Sequence, residues 1–223
     1  MKRVIVYVEG SSDQLAMEEL LADLLARLRA AGVAVKFFPT DGKKRLMLQT
    51  PIKAANTLRN DVRAVVIALP GLYPPNVAFD HTTFEELAQA LRQEFEQVLV
   101  RKRLDDVQLQ KRFHVFCFKH DLEALVLAAE RQLASCLGVS SVACTWAKPV
   151  EDQDHHVPPK RVVERLFEAH GDRYQDTVDA PLILGAARYP EIAAACPQCF
   201  KPFVDYLESL LDGGIPWPTM QPQ

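Results

Sequence analysis

The chain has 223 residues, 48% of them hydrophobic and 25% charged, with a formal net charge of −3. That length supports one sizeable core, or one domain plus an appendage, and the composition is that of an ordinary globular protein. The charge gives no global sign of a nucleic-acid surface, and no apolar run is long enough to span a membrane.

The first twenty-five residues carry the most information. Val4–Val8 is an apolar run that reads as a buried parallel strand. It ends in Glu9-Gly10-Ser11-Ser12-Asp13, and Ser11 with Gln14 is expected to form a capping box for the helix that follows. Met17, Leu20, Leu21, Leu24, Leu25 and Leu28 give that helix a continuous apolar stripe. The next strand candidate is Val33–Phe38. Pro51 then marks the start of a short helix through about Arg59, followed by a third strand, Ala64–Leu69. Phe84, Leu87, Ala88, Leu91, Phe95, Val98 and Leu99 predict the next helix, and Phe113–Phe118 the fourth strand. A long helix from Leu122 to Leu137 comes next, then a loop from Val139 to Val157. Further helices are expected from Lys160 to Ala169, from Pro190 to Ala195 and from Phe200 to a stop at Gly213-Gly214, with a loosely ordered tail at Ile215–Gln223. Strand and helix alternate through the first half, which predicts an α/β fold with a parallel sheet flanked by helices on both faces. The domain expectation is an α/β core over residues 1–137 and a mainly helical C-terminal subdomain over 138–223, packed on that core.

Met1-Lys2-Arg3 runs straight into the first strand with no signal segment, and five cysteines fit a reducing compartment; the expected location is cytoplasmic. Cys196-Pro197-Gln198-Cys199 is a CxxC. It reads as a redox pair or half of a zinc site; without a second CxxC, ordinary buried thiols are the default. Basic residues cluster at Lys36, Lys43, Lys44, Arg45, Lys53, Arg59 and Arg63, and again at Arg101, Lys102, Arg103, Lys111, Arg112 and Lys119. Each cluster is either a set of phosphate contacts or a solvated face.

Chemistry is expected at the C-terminal edge of the sheet, where open α/β folds bind ligands. Glu9 ends the first strand there. His120, Asp121 and Glu123 follow the fourth. Oxygen-rich sites of this kind suit Mg2+ or Mn2+, and phosphodiester cleavage uses such an ion to neutralise charge and activate water. The competing reading makes Glu9, Asp121 and Glu123 ordinary acids at helix N-termini. The third strand carries no acid until Asp80. Asp152, Asp154, His155 and His156 have the right donor types for a transition metal but lie in the expected loop.

VEGSSDQLAMEELL resembles the opening of TOPRIM domains, found in topoisomerases, primases and OLD-family nucleases. The whole chain resembles a bacterial TOPRIM-like family still described as a domain of unknown function (domain of unknown function 4276). Its members carry VEG, then segments like DYYGLP, HEFEAL, PP-SKR and CPHF. Here these correspond to Val8-Glu9-Gly10, Gly71-Leu72-Tyr73-Pro74, His120-Asp121-Leu122-Glu123-Ala124-Leu125, Pro158-Pro159-Lys160-Arg161 and Cys196-Pro197-Gln198-Cys199-Phe200. The resemblance implies a metal-dependent nuclease or nuclease-related effector acting in anti-phage defence beside an ATPase partner. Glu9, Asp121, Glu123 and His120 would be catalytic, and Glu9, Asp121 and Glu123 would hold Mg2+ or Mn2+. Lys43, Lys44, Arg45, Lys119, Lys160 and Arg161 are the candidate contacts to DNA or RNA. The family's aspartate after the third strand falls on Ala68, which removes one charge from the site. The alternative is therefore a catalytically degenerate binding module that docks on a partner. An enzyme of small phosphorylated ligands ranks last, because no GxxxxGK[ST] loop is present.

Overall fold

The computed structural model describes residues 1–75, 79–104, 107–143 and 145–212. Cys144, the Gly213-Gly214 stop and the Ile215–Gln223 tail lie outside them. Four parallel strands form one sheet: β1 (Lys2–Val8), β2 (Val33–Pro39), β3 (Ala64–Ala68) and β4 (Phe113–Val115), in the order β2-β1-β3-β4. The central strands are buried on both faces and so carry unbroken apolar runs. β4 is shorter than its apolar run predicts. Pro70 has no N–H, so the β3–β4 ladder breaks there, although the Phe116 and Phe118 amides still donate to the Ala68 and Pro70 carbonyls at 3.0 and 2.9 Å.

The helices of the first half are α1 (Ser11–Leu20), α2 (Ala22–Ala30), α3 (Lys43–Asn60), α4 (Phe84–Arg101) and the single turn α5 (Val107–Gln110). Then come α6 (Glu123–Ala128), α7 (Glu130–Cys136), α8 (Pro159–Ala169), α9 (Asp179–Gly185), α10 (Tyr189–Ala195) and α11 (Phe200–Ser209). Two long expected helices are each broken by one residue. Leu21 separates α1 from α2 and Ala129 separates α6 from α7, each with backbone angles outside the helical basin. The short helix expected at Pro51 is instead an eighteen-residue helix with Pro51 inside it, one hydrogen bond poorer for the missing amide. Neither α5 nor α9 was anticipated, because neither has enough turns to show a periodicity. Thr83 caps α4: its hydroxyl accepts from the Glu86 amide and the Glu86 carboxylate accepts from the Thr83 amide, each at 3.2 Å.

Two apolar clusters sandwich the sheet. One face packs α3 and α4 against Ile5, Tyr7, Val66 and Ala68. The other carries α1, α2 and the C-terminal helices, so that Val4, Val6 and Ile67 share a core with Phe167, Phe200 and Phe203. Arg112, read from the sequence as part of a basic cluster, is buried. It donates to the carbonyls of Leu58, Asp61 and Ala64 at 2.9, 2.9 and 3.0 Å, tying the end of α3 to the start of β3. Among the described residues, no helix is long and apolar enough to cross a membrane.

Candidate functional site

Glu9 leaves β1 at the C-terminal edge of the sheet and is held there by the loop after β3. One carboxylate oxygen accepts the Gly71 amide at 2.7 Å. Gly71 must be glycine, because a Cβ there would stand 2.7 Å from the His120 carbonyl oxygen. The cap of α1 differs from the sequence expectation. Gly10 is the N-cap, and the Asp13 carboxylate, not Ser11 or Gln14, closes the turn by accepting the Gly10 amide at 2.8 Å. This places Asp13 in the same cleft as Glu9.

That cleft, about 260 Å³, is lined by Glu9, Asp13, Lys43, Gly71, Tyr73, His120 and Asp121, among others. Its acids are short of positive charge. Burial pushes the Asp13 carboxyl up to about 7, and the charges of Glu9, Asp121 and Asp176 push the same way. Burial and the charge of Glu123 likewise raise Asp121 to about 7. Burial also raises Glu9, against the Gly71 amide and the Lys43 ammonium, and it raises Glu123 against Lys160. Asp121 Oδ1 is buried with no hydrogen-bond partner.

Two lysines are the nearest cations. Lys43, on the first turn of α3, is lowered by burial, and its Nζ donates to the Leu72 and Pro74 carbonyls, 3.0 Å to Leu72. Lys160, on the first turn of α8, lies 3.1 Å from Asp176 and 3.8 Å from Glu123. The Tyr174 hydroxyl is buried, and burial together with the neighbouring Glu123 carboxylate pushes it above the usual phenol range.

Of the sequence-predicted site residues, the fold brings Glu9, His120 and Asp121 into one cleft, and Glu123 stands behind Asp121 in its ion pair with Lys160. His120 is buried under the Tyr73 ring, 5.7 Å between centroids, with Nε2 unpartnered. The basic candidates scatter. Lys43 and Lys160 belong to the acid cluster. Lys119 pairs with Asp152 at 3.2 Å. Arg45 pairs with Asp41 at 2.9 Å. Lys44 and Arg161 are exposed. Ala68 is fully buried in the apolar cluster beneath the site. Sequence reasoning missed Asp13, Asp176 and Tyr174. Asp13 had a signal, four residues beyond Glu9 across one turn. The other two, far along the chain, had none.

The donors are all oxygen, one is orphaned and the anionic charge is in excess, so the residues fit a hard divalent cation. They do not form a tight cage. Among the described residues, the only three metal-ligating side chains whose donor atoms lie within 4.8 Å of one another are the exposed Asp154, His155 and His156. An ion in the cleft would therefore take few direct carboxylates and keep much of its water, as Mg2+ does.

Fold and cleft thus define an α/β protein with a buried acidic site at the C-terminal edge of a parallel sheet. The chain belongs to the family described as a domain of unknown function, DUF4276, which matches residues 8–208. Among solved structures, the C-terminal region of the Burkholderia pseudomallei OLD protein is similar over 95% of this chain and 99% of that one, at 14% identity and a TM-score of 0.52; the shared property is the fold. The C-terminal region of the Xanthomonas campestris pv. campestris OLD protein, also 14% identical, covers 95% of this chain and 97% of its own at a TM-score of 0.46. No curated protein matches the chain in sequence.

Proposed function

We propose that this chain is a TOPRIM-type, metal-dependent nuclease or nuclease-related effector acting on DNA or RNA. The observation that carries the reading is the cluster of four carboxylates, Glu9, Asp13, Asp121 and Glu123, at the sheet edge with too little positive charge to balance them. An uncompensated group of buried acids is costly to fold and is tolerated where a ligand supplies the missing charge. The OLD-like fold supports the class of enzyme.

In this reading Glu9, Asp13 and Asp121 hold Mg2+ or Mn2+, which when bound neutralises phosphate charge and lowers the pKa of water. Lys43 sits beside Glu9 in the cleft and is placed to meet a phosphate oxygen. Asp13 and Asp121, both near 7 in the ion-free cleft, would be drawn to their ionised forms by the bound cation. His120 closes the inner wall. Lys44, Arg45, Lys119 and Arg161 are the remaining candidate backbone contacts. Action beside an ATPase partner in anti-phage defence is the finer form of the proposal and follows the family resemblance.

The test is divalent-dependent nicking of plasmid DNA and cleavage of a single-stranded RNA. Glu9→Gln and Asp121→Asn are expected to lower the rate at least a hundredfold while circular dichroism stays unchanged. Parental rates in both variants would remove the proposal. A second reading, a non-catalytic docking module, is favoured by Ala68, where the family carries a carboxylate. It predicts neither cleavage nor ion-dependent stabilisation. A bound ion at a hundredfold excess over Kd adds about 2.7 kcal/mol, so a magnesium-dependent melting shift that Glu9→Gln abolishes separates the two.

A further inference from the structure

The CxxC motif directs attention to Cys196 as the partner of Cys199, but the fold gives Cys199 a different one. Its sulfur touches that of Cys117, 3.3 Å away and 82 residues earlier in the chain. Both are free thiols.

Each side of the contact is fixed. Cys117 lies just past β4 in an extended segment anchored to the Ala68 and Pro70 carbonyls. Cys199 immediately precedes α11, and its amide donates to the buried Glu151 carboxylate at 2.8 Å. Both cysteines line a cavity of about 200 Å³, with Arg92, His114, Phe116 and Pro202. Cys199 is the more accessible of the two, 8% exposed against 1% for Cys117.

We propose that Cys117 and Cys199 form a reversible disulfide that fastens the C-terminal helical layer to the sheet edge, with an anionic low-molecular-weight disulfide as the oxidant. Arg92 at the cavity wall favours a negatively charged reagent over a neutral one. The Cys199 sulfur, deprotonated, attacks one sulfur of the small disulfide, RSSR. That S–S bond breaks, a mixed disulfide forms on Cys199, and the first RSH leaves with one proton. The Cys117 sulfur then attacks Cys199, and the second RSH leaves with the other proton. The protein loses two protons and two electrons, and the reagent gains them. The hydrogen bond to Cys199 and burial hold the Cys117 thiol protonated, so the second step is slow.

The experiment uses the native full chain treated with oxidised glutathione. Non-reducing peptide mapping is expected to link the Cys117 peptide to the Cys199 peptide, with an intact mass lower by two hydrogen atoms. The melting temperature is expected to rise by several degrees, on the order of 5 °C, because a loop of this length is closed, and dithiothreitol should reverse the change. Cys196→Ser should behave as the parent. Cys117→Ser should stop at the glutathione adduct, though mapping the native chain decides the matter without it. A Cys196–Cys199 link, an adduct that never closes in the parent, or thiols that react only after unfolding would each overturn the proposal.

Discussion

Two regions of this protein bury carboxylates and treat them in opposite ways. Glu151, in the turn at Val150–Asp152, is 2% exposed. One of its oxygens accepts the amides of Cys199 and Phe200 at 2.8 and 3.2 Å and the other accepts the amide of Gln198 at 2.5 Å. Those donors are the free N–H groups at the start of α11, where the helix dipole also favours a negative charge. Asp121 has no such arrangement. It stands beside another acid, its Oδ1 is buried with no partner, and its carboxyl is pushed up to about 7. Burial alone does not single out a candidate site acid; a buried carboxylate oxygen left without a partner does.

The largest expected effect tests that contrast directly. Glu151→Ala leaves three amides without their acceptor and should cost about 3 kcal/mol or more in urea unfolding at neutral pH. Asp121→Asn under metal-free conditions should be neutral or stabilising, because it removes a charge the fold does not compensate. Equal losses in the two variants would erase the distinction between a structural and a functional acid.

The pH dependence sharpens it. Asp13 and Asp121 have folded-state values near 7, above the ordinary carboxylate range. The native state therefore holds protons that the unfolded chain has already released, and stability falls as pH rises from about 4 to 7, then levels off. Relative to an Asp13→Asn/Asp121→Asn double variant, the parent should lose stability steadily across that window. Magnesium should flatten the difference, since an ion favours the ionised carboxylates. A parent and double variant with parallel pH curves would mean that the acids are compensated after all.

Lys160 is the protein's own partial remedy. Burial lowers its pKa, but Glu123, Asp176 and Asp121 outweigh that and raise it overall, so its contribution is fully present at neutral pH and is lost only in strong alkali. Its side chain is 42% exposed, which screens the pairing. Lys160→Met should cost about 1 kcal/mol at pH 7.5, and magnesium should restore part of it. Were the loss the same with and without the ion, Lys160 would be serving Asp176 at the surface rather than the buried acids.

The layout of the sheet was legible because its two central strands, buried on both faces, carry the apolar runs Val4–Val8 and Ala64–Ala68. Helix breaks at Leu21 and Ala129 were not, because their apolar stripe continues across the break and only the backbone angles change. The site was legible where chemistry follows a strand end, at Glu9 and Asp121. It was illegible where the partner arrives from elsewhere: Asp176 and Tyr174 meet Lys160 and Glu123 from the loop before α9, and Glu151 finds its donors 47 to 49 residues later. Cys199 is the sharpest case, since a local motif suggested one neighbour and the tertiary fold supplied another.

The smallest expected effect concerns the turn after β1. Ser11 looked like the cap of α1, and a true N-cap serine is worth about 1 kcal/mol against alanine. The structure gives the N-cap to Gly10 and the closing hydrogen bond to Asp13, while Ser11 is exposed within the helix. Ser11→Ala should therefore change stability by less than about 0.3 kcal/mol, with alanine's better helix propensity offsetting whatever is lost. The same geometry gives Asp13 two tasks on its two oxygens: Oδ2 holds the Gly10 amide and fixes the carboxylate beside Glu9, which leaves the charge itself for the cleft. Asp13→Asn keeps a carbonyl for the Gly10 amide but removes the charge, so it should spare the turn and abolish the ion response. A loss of helix stability in Asp13→Asn larger than that of Ser11→Ala by more than about 1 kcal/mol would show that the carboxylate is there for the cap alone.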